Sequence, residues 1–273
     1  MAASKEITVL TYNIRYDNPS DGEDRWEFRK AGVVSLLAHN KPDFFGLQEA
    51  LSHQLHYIGE NLKEIYNFVG VGRSDGNQGG EFNPLFWNRE KFNLLDSGTF
   101  WLTHEPSQPS KLPSASLPRI CTWGKFNKRN NEKAIFLIFN THFSYESDTI
   151  RVEEATILSR QIQNIAQLYP SILIGDFNAT ESDRSYRLIA NSFFTDSKTL
   201  VSAANRINDQ YQSFTGFHGP VKDALPMGSV NIDWLFVSGF EVSRWEQIMD
   251  TLPGGRALSD HRAISITAIN KYE

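Results

Sequence analysis

Four polar residues able to hold a metal ion or a phosphate stand where apolar runs end: Asn13, Glu49, His142 and Asp176. Hydrolysis of a phosphate ester needs such groups, because it calls for a hard cation, an activated water and stabilisation of charge on phosphate oxygens. Magnesium prefers oxygen ligands and usually takes only one or two protein carboxylates. Glu49, just after a short apolar run, suits that role, and it equally suits the first turn of a helix. Asp176 and Asn178 stand two apart, so in an extended chain both side chains point the same way. An acid and an amide side by side can hold one water, the acid orienting it or taking its proton. An Asx-type turn is the plainer alternative for that pair. His261 follows Asp260, and Asp233 lies upstream; a carboxylate on one imidazole nitrogen fixes the tautomer and raises basicity. Arg119, in Leu117-Pro118-Arg119-Ile120, has the fork that clamps a phosphate through two N–H groups. Glu81 sits in Gly79-Gly80-Glu81-Phe82-Asn83, where a solvated turn is the alternative. One such residue is unremarked in any protein; polar residues at four strand ends are harder to set aside.

The elements that position these residues alternate between strand and helix. Ile7 to Tyr12 reads as a buried strand ending at Asn13, and Phe44 to Leu47 as a second, ending at Gln48-Glu49. Phe28, Ala31, Val34, Leu37 and Ala38 recur at helical spacing up to Asn40, before Pro42. Leu51 to Leu62 is a further helix. Leu85 to Trp87 and Phe92 to Leu102 read as strands, and Ile120 to Phe126 and Ala134 to Asn140 as a hairpin around the polar turn 127–131. Thr149 to Leu168 is the strongest helix, with Ile150, Ala155, Ile157, Leu158, Ile162, Ile165 and Leu168 on one face and Asp148 as its cap. Strands follow at Ser171 to Ile174, Ile232 to Val237 and Ala263 to Ala268; residues 197–231 read as loop-rich. The segment 103–118, with four prolines and four serines, is a surface loop or a linker.

Six segments in order now carry a resemblance: Thr11-Tyr12-Asn13-Ile14-Arg15, Leu47-Gln48-Glu49, Asn140-Thr141-His142-Phe143, Ile174-Gly175-Asp176-Phe177-Asn178, Asn231-Ile232-Asp233-Trp234 and Ser259-Asp260-His261. Together they resemble the endonuclease/exonuclease/phosphatase superfamily, the metal-dependent phosphoesterases related to pancreatic deoxyribonuclease. Residues 20–30, with Trp26, Arg29 and Lys30 before the first helix, resemble its deadenylase-like branch. The resemblance implies an α/β fold, a four-layer α/β/β/α sandwich of two facing mixed sheets flanked by helices. It implies one catalytic domain over residues 1–273 and Mg²⁺ or Mn²⁺ as cofactor. Glu49 corresponds to the main metal ligand and Asp260 to a second carboxylate at or near the metal. Asp176 corresponds to the water-activating residue, with Asn178 donating to a phosphate oxygen and Asn13 and Arg119 binding substrate. The resemblance pairs Asp233 with His261, and makes His142 the other histidine, with Glu81 as its orienting partner. Three positions depart from the pattern. Arg15 replaces the acid of the abasic-DNA branch, Tyr145 stands where many phosphatases have a second histidine, and Asn231 replaces a common arginine.

Composition narrows the classes further. The chain has 273 residues, 40% of them hydrophobic, with 19 Phe, 9 Tyr and 6 Trp, too many to stay solvated in a disordered chain. The lone cysteine, Cys121, excludes a disulfide scaffold and fits the cytosol or a secreted protein equally. No apolar run approaches the roughly 18 residues of a membrane helix, and residues 1–6 lack the apolar stretch of a signal peptide. A monomer is expected. The net charge of −5 argues weakly against tight binding of long nucleic acid. Five of the 32 acids, Glu49, Glu81, Asp176, Asp233 and Asp260, fall in the candidate site, so the rest of the chain is near neutral. Between residues 119 and 133, Arg119, Lys125, Lys128, Arg129 and Lys133 outnumber Glu132, and a solvated hairpin tip accounts for Lys128 and Arg129. Trp26, Trp101 and Trp123 are expected in the core. The reading is a metal-dependent phosphoester hydrolase acting on a nucleotide, a phosphorylated metabolite or a lipid headgroup. A nuclease on RNA or DNA, and an inactive binding protein on the same fold, are the alternatives.

Overall fold

The computed structural model describes residues 5–217 and 230–273. In chain order it runs β1 (Glu6–Asn13), α1 (Trp26–Asn40), β2 (Phe44–Gln48), α2 (Ser52–Leu62), β3 (Tyr66–Val69) and β4 (Leu85–Asn88). There follow β5 (Phe92–Trp101), β6 (Ile120–Lys128), β7 (Asn131–His142), α3 (Asp148–Ala166), β8 (Ser171–Asp176) and α4 (Arg184–Ala190). The last are β9 (Thr195–Asp196), β10 (Arg206–Ile207), β11 (Asp233–Ser238), β12 (Phe240–Gln247) and β13 (Ile264–Asn270). One sheet is ordered β10-β12-β13-β1-β2-β4-β3 and the other β5-β6-β7-β8-β11-β9. Both mix parallel and antiparallel pairs.

Alternation along each strand builds the layers. In β1, Ile7 and Val9 face the other sheet while Leu10 and Tyr12 face α1 and α2. In β8, Ile172 and Ile174 join the inter-sheet core and Leu173 packs toward α3 and α4. Strands buried on both faces read as continuous apolar runs, which is why they are legible in the sequence. The result is the expected α/β/β/α sandwich. Aromatic rings fill its centre: Phe44 packs against Phe92, Phe126 and Phe136.

Several local expectations are corrected. Helix α1 begins at Trp26, so Trp26, Arg29 and Lys30 lie within it, and it buries Trp26, Arg29, Val33, Leu36 and Leu37, whereas Phe28 is 59% exposed. The face was misplaced because Arg29 counts as polar; here it is fully buried and donates to the carbonyls of Asp24, Ile14 and Leu258. Helix α3 ends before Leu168, which is exposed, and its cap is Ser147, whose side chain accepts from Ile150 N. Asp148 instead accepts from the backbone of Arg184 and Ser185, anchoring the start of α4. Lys128 is not solvated: it is buried and paired with Glu273 at 2.6 Å. Within the Pro-rich segment, Leu112 and Ala115 pack with Ile150 and Ile157 of α3. Strands β3, β9, β10 and β12 and helix α4 gave no sequence signal.

One amide crosses the apolar inter-sheet layer. Asn140 of β7 donates to the carbonyls of Leu47 and Pro84 at 2.9 and 2.8 Å and accepts from Gln48 Nε2 at 2.7 Å. Gly46 leaves room for it: a Cβ there would lie 2.5 Å from Asn140 Cγ. Buried carbonyls stripped of a donor keep their full desolvation cost. Asn140→Ala is therefore expected to lose at least about 2 kcal/mol of stability in urea unfolding, and a loss below about 0.5 kcal/mol would contradict the role given to this amide.

Candidate active site

Strand register gathers the expected residues at one end of the sandwich. In the second sheet His142 is opposite Asp176, and Asp176 is opposite Asp233. In the first, Asn13 is opposite Gln48, so Glu49 comes next along the chain. The two ends are joined by Asn13, whose Nδ2 donates to Glu49 Oε1 at 3.0 Å and to Asp176 Oδ2 at 2.9 Å. Asn13 Oδ1 accepts from Arg15 N at 2.9 Å. Both amide protons are therefore spent on carboxylates and the side chain is fully buried. Asn13 ties Glu49 to Asp176.

Of the ten candidates, eight line one cleft of about 660 Å³: Glu49, Glu81, Arg119, His142, Asp176, Asn178, Asp260 and His261. Asp233 lies behind, its Oδ2 2.8 Å from His261 Nδ1, which is the expected pair. Glu81 does not orient His142; it accepts from Arg73 at 2.8 Å, and no strand register links it to β7. The chain between Asp176 and Asn178 is not extended either. Asn178 has φ +47° and its N–H donates to Asp176 Oδ1 at 2.9 Å, so the Asx turn forms. Its side-chain amide reaches Phe143 O at 2.9 Å and His142 Nε2 at 3.1 Å. Both amide protons are used within the protein. Asn178 fixes His142 with the proton on Nδ1, an atom that has no protein partner.

Neighbouring charges drive the two histidines apart in pKa. His142 is held well below the ordinary histidine value by burial and by the charges of Arg119, Arg73 and His261, so it is neutral. Burial works against a charge on His261 too, but Asp233 and Asp176 outweigh it and hold the pKa well above the ordinary value. Asp176 Oδ2 lies 3.5 Å from His142 Nε2 and 3.6 Å from His261 Nε2. Burial and the Asp233 charge push the Asp176 carboxyl up to about 7, against the pull of His261. Asp260 is raised by burial and by Glu49.

The donor set fits a hard divalent cation. Glu49, His142 and Asp176 offer ligand atoms within 4.8 Å of one another, as do Asp176, Asp233 and His261. Asp260 is outside both groups among the described residues. Its carboxylate is 3.9 Å from Arg15 Nε. Oxygen donors dominate, as magnesium and manganese prefer. Glu49 keeps lone pairs in hand beyond those used by Asn13 and by Tyr16 N.

Three cleft residues were not expected. Arg15 was read only as a departure, though its place two residues after Asn13 was a usable signal. Arg73 lies in a Gly-rich stretch that carries none, and Tyr16 was not singled out. Tyr145, at the position of the missing histidine, is 60% exposed at the mouth of the cleft. Trp26 and Trp101 are buried, as expected, and Trp101 Nε1 donates to Arg73 O.

A family model described as the endonuclease/exonuclease/phosphatase family matches residues 10–261. The chain belongs to that family. Its members are phosphoesterases and nucleases. A mannosyl-6-phosphatase from Bacteroides thetaiotaomicron superposes with a TM-score of 0.88 at 32% identity, covering 96% of this chain and 99% of that one. The human Nocturnin catalytic domain with bound sulfate shares the fold, with a TM-score of 0.74 at 22% identity over 96% of this chain and 93% of the other. Mouse Nocturnin is 25% identical over 231 residues, 76% of this chain. The chain spans about half the length of the curated relatives it matches.

A buried carboxyl braces the segment that follows His142. Glu154 of α3 accepts from Ser144 N at 2.8 Å and Ser144 Oγ at 2.6 Å, and Arg151 donates to the carbonyls of Ser144 and Tyr145. Burial raises the Glu154 pKa to about 7, although the Ser144 bonds oppose the rise. Between about pH 4.5 and 7 the folded chain keeps a proton that the unfolded chain releases, so this group favours folding more as pH falls. Wild type should thus lose up to about 3 kcal/mol relative to Glu154→Gln between pH 5 and pH 8. Urea unfolding of both proteins at the two pH values checks this; a constant gap would refute it.

Proposed function

We propose that the chain is one catalytic domain, a Mg²⁺- or Mn²⁺-dependent phosphomonoesterase acting on a small phosphorylated metabolite of the sugar-phosphate kind. Arg119 carries this reading. Its guanidinium is 5% exposed at the cleft, and its Nε and Nη1 have no protein partner. A buried cation with unmet N–H groups is costly until an anion completes it. A phosphomonoester brings the most charge in the smallest volume, and a planar fork takes two of its oxygens at once. The similarity to a sugar 6-phosphatase over nearly the whole chain supports the same class.

Glu49 would hold the cation, with Asp176 the other oxygen donor grouped with it and Asp260 at the edge of the site. When bound, it would polarise the phosphoryl oxygens. Asp176, with its pKa about 7, orients the attacking water and takes its proton. Asp233 holds the His261 imidazole so that a charged Nε2–H faces the phosphoryl oxygens. Neutral His142, fixed by Asn178, offers its unpartnered Nδ1–H as a further donor.

The nuclease reading draws less support. Arg119 lies at the active-site end of the second sheet, while Lys128 ends β6 and Arg129 follows it, about 30 Å away along nine residues of strand. Lys128 is consumed by Glu273, and Lys125 sits over the Tyr169 ring. Among the described residues these bases form no stripe for a polymer.

A panel of hexose phosphates, diesters, single-stranded RNA, DNA and a phospholipid, each with Mg²⁺, Mn²⁺ or EDTA, tests the assignment. Hexose phosphates should turn over fastest, and EDTA should abolish activity. Asp176→Ala and His261→Ala should each cut turnover at least about 10²-fold with the fold intact. Arg119→Ala should raise KM for the monoester by about 10-fold or more. Near-wild-type rates in the first two variants would sink the assignment, as would faster cleavage of RNA or DNA. EDTA-insensitive turnover would remove the metal.

A further inference from the structure

Arg15 places a fixed positive charge among the carboxylates of the site. Its Nη1 is 3.9 Å from Glu49 Oε2, and its Nε is 3.9 Å from Asp260 Oδ2. The guanidinium does not hang there freely. Asp21 accepts from Nε at 3.1 Å and from Nη2 at 3.0 Å, and the Tyr16 ring packs beneath it at 4.5 Å. The backbone is held as firmly. Arg15 has φ +57°, a left-handed conformation that a side chain with a Cβ resists. Asn13 Oδ1 holds its N–H, while Gln54 Nε2 and Arg29 Nη2 donate to its carbonyl at 3.0 and 3.3 Å. Glu49 is also left-handed, at φ +62°. Two adjoining positions with costly backbone, both determined by their surroundings, mark a place where geometry is imposed for a purpose.

We propose that Arg15 is a built-in counter-cation occupying the place of a second divalent ion, so that the site takes up one ion and not two. The proposal rests on the metal-dependent reading above. Two-metal sites need carboxylates shared between cations roughly 3.5–4 Å apart. Here Glu49 and Asp260, two of the carboxylates at the site, both face a guanidinium that bonds Asp21 through two of its N–H groups and stays 3.9 Å from each of them. It therefore adds charge to the pair without supplying a hydrogen bond that a metal could replace. Burial opposes the charge on Arg15, yet Asp21, Asp260 and Glu49 together raise its pKa, so the cation is permanent. Removing the side chain would free Asp21, Glu49 and Asp260 as three oxygen donors around a vacated volume. A merely structural latch, tying residues 15 and 21, would leave the number of bound ions unchanged.

Calorimetric titration of the metal-free chain with Mn²⁺ decides between the two. Wild type should bind one ion, Arg15→Ala two, and Arg15→Lys, which keeps the charge, one. Circular dichroism checks the fold of each, and Arg15→Gln supplies the count if Arg15→Ala does not fold. Two ions in wild type would overturn the proposal, as would one ion in both uncharged variants or two in Arg15→Lys. Wild type that binds no Mn²⁺ would overturn the metal-dependent reading itself, and this proposal with it.

Discussion

The site depends on two buried asparagines that fasten one sheet to the other. The layer between the sheets is otherwise apolar and largely aromatic, and such packing is non-directional. It favours contact but does not by itself fix how far one sheet slides over its neighbour. Asn140 supplies direction from below, reaching from β7 to Leu47, Gln48 and Pro84 on the opposite side. Asn13 supplies it at the rim, between Glu49 and Asp176. Each bond would break if the sheets slipped by a few ångströms, and each broken bond would leave a polar group in a dry place. The catalytic geometry is thus set by amides, and the hydrophobic layer supplies the stability that lets them be selective.

That fastening concentrates charge, and the chain manages the concentration by giving each carboxylate a different neighbour. Glu81 is matched to Arg73, Asp233 to His261, and Asp260 faces Arg15. Asp176 lies between two imidazoles of opposite tendency, one neutral and one charged. The same side-chain type therefore serves in different capacities within one cleft, and environment makes the difference. The acidic excess read from composition is real, but in the folded site three arginines stand against it. Net charge alone was a poor guide to the ligand, because sign depends on which charges remain unmatched.

The architecture was legible where strands are buried on both faces. Ile7 to Tyr12, Phe44 to Leu47 and Ser171 to Ile174 needed only a run of apolar residues to be found, and their polar last residues led to the site. The pairing of Asp233 with His261 came from resemblance, and the geometry agrees with it at 2.8 Å. What failed was anything decided by three-dimensional neighbours. Four backbone carbonyls converge on the buried Arg29, which no periodicity reveals, and the α1 face differs from the expected one as a result. Glu81 was matched to His142 because the sequence does not show that Arg73 lies nearer in space. The bonds that Asn13 and Asn178 make inside the site are equally invisible in sequence, because the spare protons of an amide can be counted only when its neighbours are known. Strands β9 and β10 are two residues each, too short to carry a pattern.

The matching of charges also explains why Arg119 is left over. Arg119 lies close enough to Arg73 to disfavour its charge, and both help to keep His142 neutral. Glu81 satisfies only Arg73, at 2.8 Å. A second carboxylate bonded to Arg119 would complete that pair as well, and the cleft would then hold no unmet cation and no reason to bind an anion. Exchanging Glu81 for a neutral residue would leave two unmet guanidiniums, repelling one another in a buried place. Glu81 bonds Arg73 alone, Glu146 and Glu154 feel the charge of Arg119 without bonding it, and two of its buried N–H groups keep no protein partner.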